Sequence, residues 1–346
     1  MELANREWKE FSIMEVFKTV QRGKRLKKDD HIFGKTPYAS STAFNNGLDT
    51  FIGNTENIRV FGNCLTIANS GSVGSTFYQP FKVVASDHVT KLENKNFNKY
   101  IYLFLANSVS KLREKYAFNR EINDKRIKKE KILLPINSKG EPDYAFMENY
   151  MRKKETELLK QYEKQVSDFE TVVPLSEKEW KEFSIENVFE IKSGKRLIKS
   201  DMNSGNIPFV GATKLNNGIT EFISNKNSSL DKNVLGVNYN GSVVYNFYHP
   251  YEAIFSDDVK RFSFRKIEGN KYLYLFVKVM IFQQKSKYEY GYKFNEERMN
   301  CQKILLPINS ESEPDYTYMA NYMKALESGK IKQYLEYKKQ NTNTFA

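Results

Sequence analysis

The stretch Glu-Trp-Lys-Glu-Phe-Ser-Ile occupies residues 7–13 and occurs again, without a change, at residues 179–185. These two copies contain the only two tryptophans of the chain. Seven more blocks recur in the same order at a spacing of 170–172 residues: 23–26 with 194–197, 45–47 with 216–218, 71–73 with 241–243, 86–89 with 256–259, 132–138 with 304–310, 141–144 with 313–316 and 149–151 with 321–323. This period is too long for a solenoid repeat, so the sequence contains a duplicated domain.

Between the matched blocks the two copies diverge. Residues 49–66 differ from 220–236, and residues 91–126 differ from 261–298. One framework with variable segments predicts two modules that share a scaffold and have different binding preferences.

The composition favours a polyanionic partner. The 346 residues carry a net charge of +12, and 14% of them are aromatic. Cations meet phosphates and rings stack on bases, which favours nucleic acid over an anionic membrane surface. Codon bias in an AT-rich genome would give the same composition. No apolar run is long enough to span a bilayer, and Cys64 and Cys301 lie in unrelated contexts, so we expect a cytoplasmic protein without a disulfide framework.

Each module is predicted to be of mixed α and β structure. Residues 8–17 read as a strand followed by a short turn, residues 23–26 as a loop and Asn-Asn-Gly at 45–47 as a tight turn. Residues 64–68 and 82–85 read as buried strands joined through the turn at 71–74. A helix is expected over 100–116, and a last strand over 131–136.

Each module is predicted to end in a long helix. We expect a first module at 1–143, its helix at 144–172, a second module at 173–315 and its helix at 316–340. Apolar residues recur near heptad spacing in both helices: Met147, Met151, Leu158, Tyr162 and Phe169, then Met319, Met323, Leu326 and Tyr334. These stripes predict an antiparallel coiled-coil spacer with pseudo-two-fold symmetry; alternatively, each helix packs only on its own module. The fold class is therefore α+β, with two tandem modules.

Sequence patterns of catalysis are mostly missing. The chain contains no phosphate-binding P-loop, no Gly-x-Gly-x-x-Gly and no Asn-Pro-Pro-Tyr/Phe of amino-methyltransferases. Asp87, Glu93 and Lys95 form an Asp…Glu-x-Lys pattern that binds metal in many endonucleases. The second copy has no glutamate at the matching place, and Glu-x-Lys arises easily by chance. We therefore predict no catalytic residue and no metal ligand.

Candidate DNA-binding residues fall into three groups. In two matched loops a glycine is followed by a pair of cations, Lys24-Arg25 and Lys195-Arg196, which could bind phosphate or guanine. Asn46 and Asn217 could read adenine or simply form turns, and the small polar groups Ser70, Ser72, Asn240 and Ser242 could approach a polyanion or form β-turns. Basic stretches with interleaved aromatics, otherwise expected to be solvated faces, supply the rest: Lys115, Arg120, Lys125, Arg126, Lys287, Lys293 and Arg298.

Taken together, these blocks resemble the DNA specificity subunits of restriction–modification systems over nearly the whole chain. The resemblance implies two target-recognition domains, each holding one half of a split, asymmetric DNA site, and two paired helices that dock modification subunits. The chain is most similar to BcgI-like Type IIB specificity subunits, with Type I subunits as the second choice. The implied partners are double-stranded DNA and methyltransferase subunits, or subunits that fuse methyltransferase and endonuclease. S-adenosylmethionine and Mg²⁺ would then belong to the partner. A nuclease and a duplicated scaffold protein without DNA specificity remain as alternatives.

Overall fold

A computed structural model describes residues 2–116, 120–166, 172–288 and 291–342. The chain divides into a first unit, residues 1–161, and a second unit, residues 162–346. The last turn of the first long helix therefore belongs to the second unit.

In the first unit the strands are β1 (Trp8–Ser12), β2 (Thr19–Arg22), β3 (Phe33–Ala39), β4 (Leu48–Ile52), β5 (Val60–Phe61), β6 (Cys64–Ala68), β7 (Thr76–Gln79), β8 (Val83–Ala85), β9 (Val89–Glu93) and β10 (Lys131–Pro135). The helices are α1 (Ile13–Val16), α2 (Lys99–Ser110), α3 (Asp124–Ile127) and α4 (Tyr144–Gln165).

In the second unit the strands are β11 (Trp180–Ser184), β12 (Phe189–Ser193), β13 (Ser204–Val210), β14 (Ile219–Ile223), β15 (Val234–Asn238), β16 (Asn246–His249), β17 (Ile254–Phe255), β18 (Val259–Phe264) and β19 (Lys303–Pro307). The helices are α5 (Ile185–Val188), α6 (Lys271–Phe282), α7 (Glu296–Cys301) and α8 (Tyr316–Thr342).

The same sheets recur in both units. An antiparallel sheet has the order β2-β9-β6-β7 in the first unit and β12-β18-β15-β16 in the second. A mixed sheet has the order β4-β3-β8-β5 in the first unit and β14-β13-β17 in the second. The α+β fold class predicted from the sequence is confirmed.

The repeated opening stretch closes each unit. Strand β1 pairs antiparallel with β10, and β11 pairs with β19. Alternation along β10 buries Ile132 and Leu134 and leaves Leu133 about half exposed, as expected for a strand with one face on the core. The indole Nε1 of Trp8 donates to the Leu3 carbonyl at 3.3 Å, and Trp180 donates to Leu175 at 3.1 Å.

One predicted connection is wrong. The turn at 71–74 joins β6 to β7, a strand that the sequence reading overlooked, and not to the strand over 82–85. That strand is β8, which lies in the other sheet and pairs in parallel with β3. Short apolar runs indicate strands but do not identify the strand with which each one pairs.

The long helices begin by packing on their own units. Met147 and Met319 are fully buried in the cores of their own units, with Met151 and Met323 against them. The assignment of Met147 and Met319 to a seam between the helices is therefore wrong, because the core of each unit buries these two side chains. Leu158 and Leu326 are each 45% exposed. The ring of Tyr162 packs edge-on against Tyr334 in the second unit, with centroids 5.9 Å apart, whereas Phe169 lies outside the described residues.

A glutamate fixes each long helix to the adjacent shorter helix. Glu155 of α4 accepts hydrogen bonds from Lys99 Nζ at 2.8 Å and from the Tyr100 hydroxyl at 2.7 Å. In the second unit, Glu327 of α8 accepts from Lys271 and from the Tyr272 hydroxyl, the latter at 2.9 Å. The same contact thus joins the long helix to the shorter helix in both units.

Candidate nucleic-acid interface

Four matched segments of the first unit meet in what we call the first loop cluster, residues 23–25, 40–42, 69–72 and 86–88. The Lys24 amide donates to the Ala85 carbonyl at 3.0 Å, and the Asn69 amide donates to the His88 carbonyl at 2.8 Å. The Ser72 amide donates to the Ser41 carbonyl at 3.0 Å. Backbone hydrogen bonds therefore hold in one place loops that are far apart in the sequence.

The second loop cluster consists of residues 194–196, 211–213, 239–242 and 256–258 and has the same frame. The Lys195 amide donates to Phe255 at 2.9 Å, and the Tyr239 amide donates to Asp258 at 3.1 Å. The Ser242 amide donates to Ala212 at 3.1 Å. The duplicated blocks of the sequence are therefore the blocks that build these two clusters.

A glycine before each cation pair lets the loops touch. A Cβ added at Gly23 would lie 2.0 Å from the Ser86 carbonyl oxygen, and one at Gly194 would lie 2.0 Å from the Ser256 oxygen. Any side chain at either position would force the loops apart. The cations that follow, Lys24-Arg25 and Lys195-Arg196, are exposed, and Arg196 Nη1 lies 3.8 Å from an Asp257 carboxylate oxygen.

The first basic stretch, which contains Lys115, Arg120, Lys125 and Arg126, borders the first loop cluster. The Ile122 amide donates to the Asn69 carbonyl at 3.0 Å, and a Cβ on Gly74 would lie 2.8 Å from Arg113 Cα. Lys115 pairs with Glu130 at 3.2 Å, and Arg126 donates to the Glu121 carbonyl at 2.6 Å. Arg120, which lies over the Tyr116 ring, and Lys125 are exposed.

The second basic stretch, which contains Lys287, Lys293 and Arg298, is held to the sheet by an ion pair. Lys260 of β18 donates to Glu296 of α7 at 2.7 Å and to Ser193 at 2.6 Å. The hydrogen bond from Lys260 lowers the pKa of the Glu296 carboxyl. In the same segment, Arg298 stacks 3.7 Å from the centre of the Tyr292 ring. Lys287 and Lys293 are exposed.

The two predicted asparagine readers lie in turns. Asn46 and Asn217 adopt φ values of 57° and 55°, a left-handed conformation that asparagine accepts more easily than most residues. The Asn46 carbonyl accepts from Gln79 Nε2 at 2.9 Å, and Asn217 Nδ2 donates to the Tyr251 hydroxyl at 3.1 Å. These contacts account for both asparagines as turn residues.

The small polar residues are engaged within the clusters. Ser70 is buried, and its Oγ lies 2.6 Å from His88 Nδ1. Asn240 Nδ2 donates to Asp258 Oδ1 at 2.9 Å. The Tyr239 pKa is raised, first by burial and then by the nearby carboxylates of Asp258 and Asp257. His88 and Asp258 escaped the sequence reading, although the third position is the only mismatch between the blocks 86–89 and 256–259.

The nuclease pattern does not converge in the fold. Asp87 precedes β9 and Glu93 ends it, and a strand of this length spans roughly 15 Å. Glu93 is paired with Lys91 at 3.1 Å. Within the described ranges there is no group of three or more His, Cys, Asp or Glu side chains that could hold a metal ion. The geometry therefore gives no support to the nuclease alternative.

Comparison with known proteins identifies the family. Residues 5–167 and 177–337 each match the Type I restriction modification DNA specificity domain. The chain is 43% identical over 298 residues to the Type II restriction enzyme BgcI specificity subunit S.BcgI of Heyndrickxia coagulans, covering 85% of this chain and 86% of that protein. The chain therefore belongs to the restriction–modification DNA specificity family, and the resemblance predicted from the sequence is confirmed.

Two solved structures align with the chain over most of its length. The S subunit of a Type I system from M. genitalium aligns with a TM-score of 0.45 at 17% identity, covering 99% of this chain and 96% of that one. The HsdS subunit from Thermoanaerobacter tengcongensis aligns with a TM-score of 0.34 at 12% identity, covering 96% and 91%.

Membership of the family establishes the role of the protein. It is a specificity subunit that recognises a DNA sequence within a restriction–modification complex, and it is not itself catalytic. No helix in the described part of the chain is long and apolar enough to cross a bilayer.

Proposed function

We propose that the two loop clusters, each with its neighbouring basic stretch, bind the two halves of a bipartite, asymmetric DNA site. The observation that carries this proposal is that one backbone frame is built twice and carries different side chains each time. A module of this size covers only a few base pairs. Two unlike modules therefore read two unlike blocks separated by unread base pairs.

The candidate residues divide by the chemistry that they offer. Cationic side chains suit the phosphate backbone, which fixes register and supplies most of the affinity: Lys24, Arg25, Lys115, Arg120, Lys125, Arg126, Lys195, Arg196, Lys287, Lys293 and Arg298. Small polar side chains suit base edges or close backbone approach: Ser70, Ser72, Asn240 and Ser242 in the loop clusters, and Asn46 and Asn217 in the turns at 45–47 and 216–218.

The long helices act as the spacer between modules at 1–143 and 173–315. We assign this role to residues 144–172 and 316–340, paired antiparallel. The contact of Tyr162 with Tyr334 supports pairing in the later part of the helices, where Leu158 and Leu326 have exposed surface to bury. The 22 residues of α4 and 27 of α8 span roughly 33 and 40 Å at 1.5 Å per residue, close to one turn of the major groove.

The partner carries the chemistry. Methyltransferase subunits, or subunits that fuse methyltransferase and endonuclease as in a BcgI-like system, dock on the spacer helices. They hold S-adenosylmethionine and Mg²⁺. The complex works on double-stranded DNA in the cytoplasm.

Selection from a random duplex pool tests the proposal, with the chain co-expressed with its modification subunit. Two short blocks at a fixed gap are the expected result. Exchange of residues 7–137 for the corresponding module of a relative should then change one block and leave the other. A change in both blocks would refute independent modules, and no enrichment, or binding without steep salt dependence, would favour a scaffold role.

A further inference from the structure

One side-chain pair that is hydrogen-bonded in both loop clusters has different chemistry in each. Ser70 and His88 of the first unit correspond in the repeat to Asn240 and Asp258 of the second. The backbone beneath them is the same. The Asn69 amide donates to the His88 carbonyl at 2.8 Å, and the Tyr239 amide donates to the Asp258 carbonyl at 3.1 Å. The frame is thus held constant while the chemistry of one pair is exchanged.

In the first unit the pair presents a hydrogen-bond donor. His88 Nδ1 is engaged by Ser70 Oγ at 2.6 Å, and the imidazole side chain is 54% exposed. Its Nε2 lies 3.9 Å from the Asp87 carboxylate, which favours a hydrogen on that nitrogen. Because Ser70 engages Nδ1, Nε2 is the ring nitrogen left to donate to an outside acceptor.

In the second unit the pair presents an acceptor. Asn240 Nδ2 donates to Asp258 Oδ1 at 2.9 Å. A carboxylate has no hydrogen to donate, so the remaining capacity of the Asp258 group is purely that of an acceptor.

The charge of Asp258 limits what it can face. The neighbouring Lys195 and Arg196 suit phosphate, whereas a carboxylate is repelled by it. Beside DNA, an acidic side chain is favoured where it accepts from an exposed amino group, as it does from cytosine N4 in the major groove. An acidic residue within a cation-bearing loop is therefore better explained by a base than by the backbone.

We infer that the pairs Ser70–His88 and Asn240–Asp258 are specificity-determining, each reading one base of its own half-site. Asp258 reads a base that presents an amino group in the major groove, adenine or cytosine. The His88 N–H reads a base that presents only acceptors there, guanine or thymine. This inference rests on the proposed placement of the loop clusters on DNA.

The test exchanges the pairs within the complete chain, co-expressed with its modification subunit. In selection from the random duplex pool, S70N/H88D should change one position of one block from guanine or thymine to adenine or cytosine. N240S/D258H should make the opposite change at one position of the other block. Each preference should shift roughly tenfold to a hundredfold, the range of a good base contact.

The outcomes separate this inference from the proposed function. If the wild type yields two blocks and neither exchange alters any position, or each only weakens binding to all sequences alike, the pairs hold the loops together and the inference fails. If the wild type yields no blocks, the proposed function fails first. Because Ser70 is buried, the single variant His88→Ala gives a second test on an exposed side chain. It should relax the preference at that same position, and an unchanged block would overturn the inference.

Discussion

In the second unit, His249 lies against the backbone of Gly236, where a Cβ would come within 3.1 Å of the imidazole Nε2. The two residues stand on the paired strands β16 and β15. The repeat places Gln79 and Thr66 at these positions in the first unit, and there Gln79 Nε2 donates to Thr66 Oγ1 at 3.0 Å. Where the first unit pairs the Gln79 amide with the Thr66 hydroxyl, the second unit therefore packs the His249 ring against Gly236.

This relationship predicts that the second unit loses stability in mild acid. Burial, aided by the nearby charge of Lys278, lowers the His249 pKa from its usual 6.5 to about 4. In the unfolded chain His249 becomes protonated near its usual pKa of 6.5, whereas in the folded chain it stays neutral until the pH approaches about 4. The contribution of His249 to stability is therefore complete above pH 6.5 and is lost as the pH falls toward 4. The total loss is about 3 kcal/mol at about 1.4 kcal/mol per pKa unit.

The tryptophans allow this loss to be measured for one unit at a time. In the Trp8→Phe variant, fluorescence reports only Trp180 and so only the second unit. Denaturant unfolding at pH 7 and pH 5 should show the loss, and the same comparison with His249→Gln added should show much less. An equal pH dependence in both variants would mean that other groups are responsible.

The replacement of Thr66 and Gln79 in the first unit by Gly236 and His249 in the second also predicts that one substitution restores stability lost through another. Gly236→Thr alone should destabilise the second unit by about 1–3 kcal/mol, because the new side chain overpacks against the imidazole. Adding His249→Gln should recover most of this loss, since it rebuilds the amide–hydroxyl contact of the first unit. A double-mutant cycle followed through Trp180 measures the coupling, and additive effects of the two substitutions would contradict the exchange.

Whether the sequence predicts a feature of the fold depends on how far apart along the chain the interacting residues lie. The duplication, the Asn-Asn-Gly turns and the helix over 100–116 follow from local patterns and are present in the structure, that helix as α2 with a 3-10 turn to Glu114. The pairing of β8 with β3 depends on residues more than forty positions apart, such as Tyr38 and Val84. No local pattern specifies that pairing, which explains why the turn at 71–74 was given the wrong second strand.

The candidate site shows the same division. Lys24 and Arg25 stand out because a cation pair follows a repeated glycine. The contact of Ser70 with His88 spans eighteen residues, and it could be suspected only from the single mismatch inside a matched block. Met147 and Met319 were misjudged because a heptad stripe identifies an apolar face without naming what covers it.

The glutamates that fix the long helices should be measurable in stability. Glu155→Gln removes the charge that accepts from Lys99 and weakens the bond from the Tyr100 hydroxyl. We expect a loss of about 1 kcal/mol in the first unit, the typical net value of a hydrogen bond to a partly buried group. In the Trp180→Phe variant, Trp8 fluorescence reports this unit.

Lys160→Gln, at an exposed position of the same helix within the first unit, is the matched control and should leave the unfolding midpoint unchanged. The repeat makes the same prediction for Glu327→Gln, observed through Trp180 in the Trp8→Phe variant. Equal effects of Glu155→Gln and Lys160→Gln would show that the position on the helix, and not the contact, is responsible.

The exposed cations should act on DNA through phosphate. If Lys24 and Arg25 each neutralise one phosphate, K24A/R25A releases two fewer counterions, and the slope of log affinity against log salt falls by about two. Affinity should drop on every sequence by a similar factor, because phosphate contacts carry no sequence information. The complex with the modification subunit is titrated at several salt concentrations on its selected site and on unrelated duplex. Lys139→Ala, at an exposed turn away from the loop clusters, should leave the slope unchanged. A K24A/R25A complex with an unaltered slope and weaker binding only on the selected site would place these two side chains on base edges instead.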